Sequence, residues 1–276
     1  MLNACTISMR RFLVLVACLI SGMSMSAAPA QASSKAAPEV EPVRLVASDD
    51  VELRGDYYPP YKGQDRAPAV LLIHDAGSER GVFTAFAERL QRKGLGVLAI
   101  DLRGHGQSAN EDNAWDGLDE AKRTSQWTYA LRDVEAASQW LSDRRELHAS
   151  NLTLVGHGAG AALALRQAGR DERVRAGILI EPKLESFGFE LADDLADVEG
   201  LPLQLVASRE ESDTWEQLHE DFDGEGWLEL NLLRADPGAV LSDRRLPKNL
   251  TEWVEGQVLS TARGGTARAT ASRSRR

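Results

Sequence analysis

A series of short, predominantly apolar runs, separated by segments whose apolar residues recur every three or four positions, restricts this chain more than anything else in it. The runs are AVLLIH at 69–74, VLAID at 97–101, LTLVG at 152–156, AGILI at 176–180 and LPLQLVA at 201–207. Such runs, with no polar alternation, read as strands buried on both faces. Between them, Phe83, Phe86, Ala87 and Leu90 recur at helical spacing and are followed by Gly94. Ala130, Val134, Ala137 and Trp140 do the same, and 160–168 is rich in Ala and Leu. Strands alternating with helices in this way predict an α/β fold, a mostly parallel twisted sheet covered by helices on both faces.

The flanks complete that sheet. VRLVA at 43–47 and VELRGDYY at 51–58 enclose Ser48-Asp49-Asp50, which reads as an antiparallel hairpin. After 207 come a short helix near Trp215 to His219, a strand WLELNLL at 227–233, and a last helix containing Leu250, Trp253, Val254 and Val258. The total is about eight strands. The stretch between Ile180 and Leu201 is too short for a separate cap domain.

The ends have different compositions. Arg10 and Arg11, the apolar FLVLVACLI and a small-residue stretch ending Ala30-Gln31-Ala32 have the three parts of a secretory leader, so export with cleavage near Ala32 is expected. A start at Met9 would place the basic region directly before the apolar run. Leu15-Val16-Ala17-Cys18 resembles a lipoprotein box, but too few apolar residues separate Arg11 from Cys18, and lipid anchoring is not expected. The apolar run is also far shorter than the roughly 20 residues a membrane-spanning helix needs. Cys5 and Cys18 both lie in this leader, so the remainder has no thiol to staple it and must rely on its core. Residues 33–42 read as a linker, 43–260 as the domain, and 261–276, TARGGTARATASRSRR, as a disordered basic tail. Residues 33–260 hold 25 Lys plus Arg against 42 Asp plus Glu, and such an acidic body argues against nucleic-acid binding.

Ligands of open α/β sheets meet the loops at the carboxyl ends of the strands. Three such loops carry distinctive strings: His74-Asp75-Ala76-Gly77, then Asp101-Leu102-Arg103-Gly104-His105-Gly106-Gln107-Ser108, then Gly156-His157-Gly158-Ala159-Gly160. In this order they resemble the working loops of the α/β-hydrolase superfamily, most nearly its lidless dienelactone-hydrolase and serine-aminopeptidase-like branches. The resemblance runs from about Val43 to about Val258. It implies a serine nucleophile in a G-x-S-x-G turn, a histidine after the last strand and an acid to orient that histidine.

The frame is present and its chemical groups are missing. Gly158 stands at the nucleophile position and Pro237 at the histidine position, while Glu211 or Asp213 could fill the acid position. Loss of one triad member costs on the order of a millionfold in rate, and residual catalysis from the oxyanion hole and binding is only about 10³–10⁴ over water. The backbone N–H groups of Ala76 and Ala159 are independent of side chains, so a small acyl or carboxylate ligand is expected among Asp75, Ala76, His157, Gly158 and Ala159. Asp75 adds a negative charge at that mouth.

Other candidates have plainer readings. His74, His105 and His157 converge, but the resemblance assigns them to packing and support, so no metal and no cofactor are expected. Ser78, Ser108 and Ser208 near strand ends read as turn formers, and Trp115 and Trp127 as buried aromatics or the lining of a groove. The leading expectation is an exported α/β-hydrolase-fold binding or interaction module without serine-hydrolase catalysis. The alternatives are an esterase or peptidase with a rearranged nucleophile and base, and a structural protein with a vestigial pocket.

Overall fold

The computed structural model describes residues 39–60, 66–222 and 226–259, all within the compact unit that begins at Ala37. The leader through Ala32 and the tail at 261–276 lie outside the described residues, as do residues 33–38 of the linker.

The chain opens with β1 (Glu41–Val46) and β2 (Glu52–Tyr58), an antiparallel hairpin whose first strand starts two residues before Val43. Then follow β3 (Ala67–Ile73), α1 (Thr84–Arg92), β4 (Gly96–Asp101), α2 (Glu120–Tyr129), α3 (Leu131–Ser142), β5 (Leu147–His157) and α4 (Gly160–Ala168). The second half holds β6 (Val174–Ile180), a small hairpin of β7 (Glu185–Ser186) and β8 (Phe189–Glu190), α5 (Leu191–Ala196), β9 (Leu203–Ser208), α6 (Ser212–Phe222), β10 (Leu228–Leu233) and α7 (Leu246–Val254).

Eight of these strands form one sheet in the order β1-β2-β4-β3-β5-β6-β9-β10. β2 runs antiparallel to β4, and every pairing from β4 through β3, β5, β6 and β9 to β10 is parallel. The fold is thus the mostly parallel α/β sheet that the apolar runs predict.

Strand alternation explains the two layers. Along β3, Leu71 and Ile73 point to the face covered by α3 and α4, where they meet Val134, Ala137 and Leu163. Val70 and Leu72 point to the other face, against Phe86 and Leu90 of α1 and Leu250 and Val254 of α7. All of these are fully buried, and each aliphatic side chain so placed contributes about 2 kcal/mol. A third cluster joins α4, α5 and α6 to β9 through Leu165, Leu195, Trp215 and Leu205.

Two elements depart from the sequence reading. The helix read from Ala130, Val134, Ala137 and Trp140 is α3, and a second helix, α2, precedes it and meets it at Ala130. α2 shows no apolar periodicity because Trp127 is its one fully buried residue, and its start is fixed by the Asp119 carboxylate accepting the Lys122 N–H at 2.9 Å. Between β6 and β9 the chain forms the β7–β8 hairpin and the short α5, elements too brief to give a periodic signal.

Candidate functional site

The carboxyl ends of β3, β4, β5 and β6 bring the three strings together. β5 ends at His157, Gly158 turns the chain with φ +56°, and α4 starts at Gly160. Backbone crowds this turn: a side chain at Gly160 would meet the carbonyl oxygens of His74 and Ile73 at 2.5 and 2.8 Å. The glycine at 158 is a different case, because the three atoms nearest to a Cβ there would all belong to the carboxylate of Asp75.

Asp75 reaches this place from the loop after β3. Its Oδ1 accepts the N–H of Ala76 at 2.8 Å and the N–H of Ala159 at 2.7 Å. Two backbone donors converging on one oxygen are the arrangement that acyl-transfer sites aim at a developing oxyanion. A carboxylate of the chain itself therefore occupies them, at the amino end of α4, where the helix dipole favours negative charge. Asp75, Ala76, Gly158 and Ala159 thus meet, and the space above Gly158 is filled by Asp75.

His157 lies beside this turn and faces Glu181. Its Nε2 is 3.8 Å from Glu181 Oε2, and its Nδ1 is buried with no hydrogen-bond partner among the described residues. Glu181 follows β6 in a left-handed conformation, φ +45°, its own N–H donating to Val206 O at 2.7 Å. Its carboxylate accepts the N–H groups of Gly238 and Val240 at 2.5 and 3.1 Å. Burial pushes its pKa up, but His157 and these two amides outweigh burial and hold it below the usual carboxylate value.

Glu181 thereby pins the loop that carries Pro237, which is exposed. Glu211 and Asp213 are exposed too, and Glu211 accepts the indole N–H of Trp215 at 3.3 Å. Among the described residues, the carboxylate that lies beside His157 is Glu181, which the sequence reading did not single out. The only signal was a Glu at the end of a buried strand followed by a proline.

His74 and His105 act as staples. His74 Nδ1–H donates to Asp75 O at 2.7 Å and its Nε2 accepts the Leu102 N–H at 3.0 Å. His105 Nδ1–H donates to Arg103 O at 2.9 Å and its Nε2 accepts the Gly77 N–H at 3.0 Å. Each ring is the neutral Nδ1–H tautomer with no lone pair left for a metal. Burial holds the His74 pKa down to about 3 and lowers that of His105.

Ser108 donates to Asp101 O and accepts the Arg54 N–H, while Ser208 donates to Ala235 O, so both hydroxyls are committed to backbone. His219 lies on α6 against Leu228 O at 2.8 Å. Two ionic knots missed in the sequence brace the loops. Asp101 is fully buried, accepts the N–H groups of Arg80 and Gln107, both at 2.8 Å, and pairs with the Arg80 guanidinium. Arg103 sits between Asp133, at 2.6 Å, and Asp49, at 2.7 Å, and chiefly its hydrogen bonds hold Asp49 at about 2. Charged residues in loops look like solvated surface in a sequence, which hides such pairs.

The profile of the Alpha/beta hydrolase family matches residues 70–269. Among solved structures, the chain is similar to the Pyrococcus furiosus esterase Pf2001, with TM-score 0.62 and 18% identity over 80% of this chain and 91% of that one. It is also similar to a dienelactone hydrolase from Anabaena variabilis ATCC 29413, with TM-score 0.63 and 21% identity over 81% of this chain and all of that one. At these identities the likeness is one of fold. An uncharacterized protein of Mycobacterium tuberculosis (strain ATCC 25618 / H37Rv) is 29% identical over 140 residues, which span 51% of this chain but only 45% of the relative.

Proposed function

Because the chain belongs to the alpha/beta hydrolase family, we propose that it is a member that has given up serine-hydrolase chemistry and serves as an exported binding or interaction module. One observation carries this reading: the Asp75 carboxylate stands over the bare Gly158 and takes the Ala76 and Ala159 N–H groups. A hydrolase of this family needs a nucleophile at that apex and empty donors beside it. A developing oxyanion would meet a fixed negative charge instead, and like charges in such contact disfavour one another strongly.

Vacating the donors is costly as well. Each hydrogen bond to a charged acceptor contributes about 1.5–3 kcal/mol, so the Asp75-displaced state is populated at roughly one part in a hundred or less. A small acyl or carboxylate ligand would have to displace Asp75 to use these donors. The export part of the proposal rests on the leader ending at Ala32, and mass spectrometry of the secreted chain's amino terminus tests it.

A second reading, hydrolysis with a rearranged nucleophile and base, draws on the His157–Glu181 pair at 3.8 Å. Incubating the protein with a fluorophosphonate probe and a panel of p-nitrophenyl esters separates the two. The expected result is neither labelling nor turnover. A labelled serine whose Ala variant loses the label would sink the first reading.

A further inference from the structure

Beside the loop of Asp75 lies an aromatic cage built from His105, Trp115 and Trp127. The His105 and Trp115 ring centroids are 4.7 Å apart, those of Trp115 and Trp127 5.5 Å, and those of His105 and Trp127 5.8 Å. His105 also accepts the Gly77 N–H, so the cage adjoins the turn that presents Asp75 and Ala76.

Its fourth ring comes from elsewhere. Phe187, at the tip of the β7–β8 hairpin, lies 5.4 Å from both tryptophans, edge-on to Trp115 at 83° and tilted at 40° to Trp127.

That tip is unusual for a phenylalanine. β7 and β8 pair only through Glu185 with Glu190 and Ser186 with Phe189, leaving Phe187 and Gly188 as a two-residue turn with φ +50° and +76°. Turns with both central residues in the left-handed region favour Asn or Asp followed by Gly. A bulky side chain there is sterically disfavoured, so the sequence accepts a poor turn residue in order to deliver a ring to the cage. The hairpin is short: each strand has two residues, Gly188 is exposed and Leu184 is 46% exposed, while Phe189 anchors it in the core.

Two polar atoms of these elements are idle. Trp127 is 1% exposed, yet its Nε1 is buried without a hydrogen-bond partner among the described residues, and so is Ser186 Oγ on the hairpin. Buried polar atoms are normally paired, and an indole N–H in a cage wall is a ready donor to a ligand carrying an acceptor.

We propose that the cage of His105, Trp115 and Trp127 is a binding site for a planar aromatic ligand bearing an oxygen acceptor, and that Phe187 is its built-in occupant, displaced when the hairpin opens. This rests on the binding-module reading and gives that module a ligand class. Affinity for the wild type is reduced by the fraction of molecules in which Phe187 has left the cage. The cage residues are not those of the degenerate turn, so ligand binding is read without any turnover.

The probe is p-cresol, titrated against the full chain by saturation-transfer NMR and tryptophan fluorescence. Binding to the wild type should be saturable. It should tighten at least tenfold in Phe187→Asn, which empties the cage while supplying a favoured turn residue. Trp115→Leu in that background should weaken it at least tenfold. Should that variant fail to fold, Trp127→Phe serves instead: it keeps a ring, removes the indole N–H, and should abolish any preference for p-cresol over toluene. Wild type that does not bind, equal affinity in folded Phe187→Asn and wild type, or binding indifferent to the tryptophans would each overturn the proposal. Labelling by the fluorophosphonate probe would instead remove the hydrolase-loss reading and leave p-cresol binding untouched, so the two failures are distinct.

Discussion

Replacing Asp75 with Ala removes the carboxylate that takes the Ala76 and Ala159 N–H groups at 2.8 and 2.7 Å. With nothing in its place, the loss of two hydrogen bonds to a charged acceptor amounts to about 3–6 kcal/mol. Asp75 is half-buried, and water reaching the vacated donors brings the expected loss down to about 2 kcal/mol. In a domain of this size that lowers Tm by about 4–8 °C. A loss of this kind has many causes, so rescue is the sharper readout. Two free N–H groups at the amino end of α4 form an anion site. Acetate at about ten times its dissociation constant then returns about 1.4 kcal/mol to the folded state, a rise of about 3–6 °C. Differential scanning fluorimetry in sodium acetate, with sodium chloride at matched ionic strength as the reference, reads this directly. The wild type, whose donors are filled, should respond equally to the two salts. An acetate-specific rise of the same size in wild type and Asp75→Ala would refute the assignment of Asp75 to these donors.

Two further outcomes follow from the same geometry. Gly158→Ser with Pro237→His should give no esterase activity on p-nitrophenyl acetate, because the new Cβ meets Asp75; adding Asp75→Gly should let weak turnover appear, and activity in the double variant would contradict the packing. Burial holds His74 to about 3 against about 6.5 in the unfolded chain. Its contribution is therefore complete above about pH 6.5 and is lost as pH falls toward the folded value, by about 1.4 kcal/mol per unit. His105 acts in the same direction. Urea unfolding at pH 7 and pH 5 should show the loss, and the His74 ring resonance should not titrate above pH 4.

Much of the scaffold is legible in the amino-acid order, and particular residues show why. β3 has no polar position, so Val70 to Ile73 can only be a strand buried on both faces, and α4 falls on 160–168, where Gly160 and the alanines allow close packing. The empty apex at Gly158 and the proline at 237 are equally plain. The sequence also marks Asp75 as a charge at the mouth, but not its destination. That destination depends on an N–H 84 positions later being brought within 2.7 Å, a fact of tertiary approach with no local trace. Glu181 and the Arg103–Asp133 pair are hidden for the same reason: their partners lie 57 and 30 residues away. Phe187 is harder still, because turn preferences argue against a ring at its position.

The two imidazole staples have a consequence for how this molecule can change over generations. His74 and His105 fasten neighbouring loops to one another through main-chain atoms alone, so neither depends on what occupies the apex of the β5–α4 bend. Whatever reactive group the apex carries or lacks, these two fastenings stay in place, and architecture and reactivity can be inherited separately.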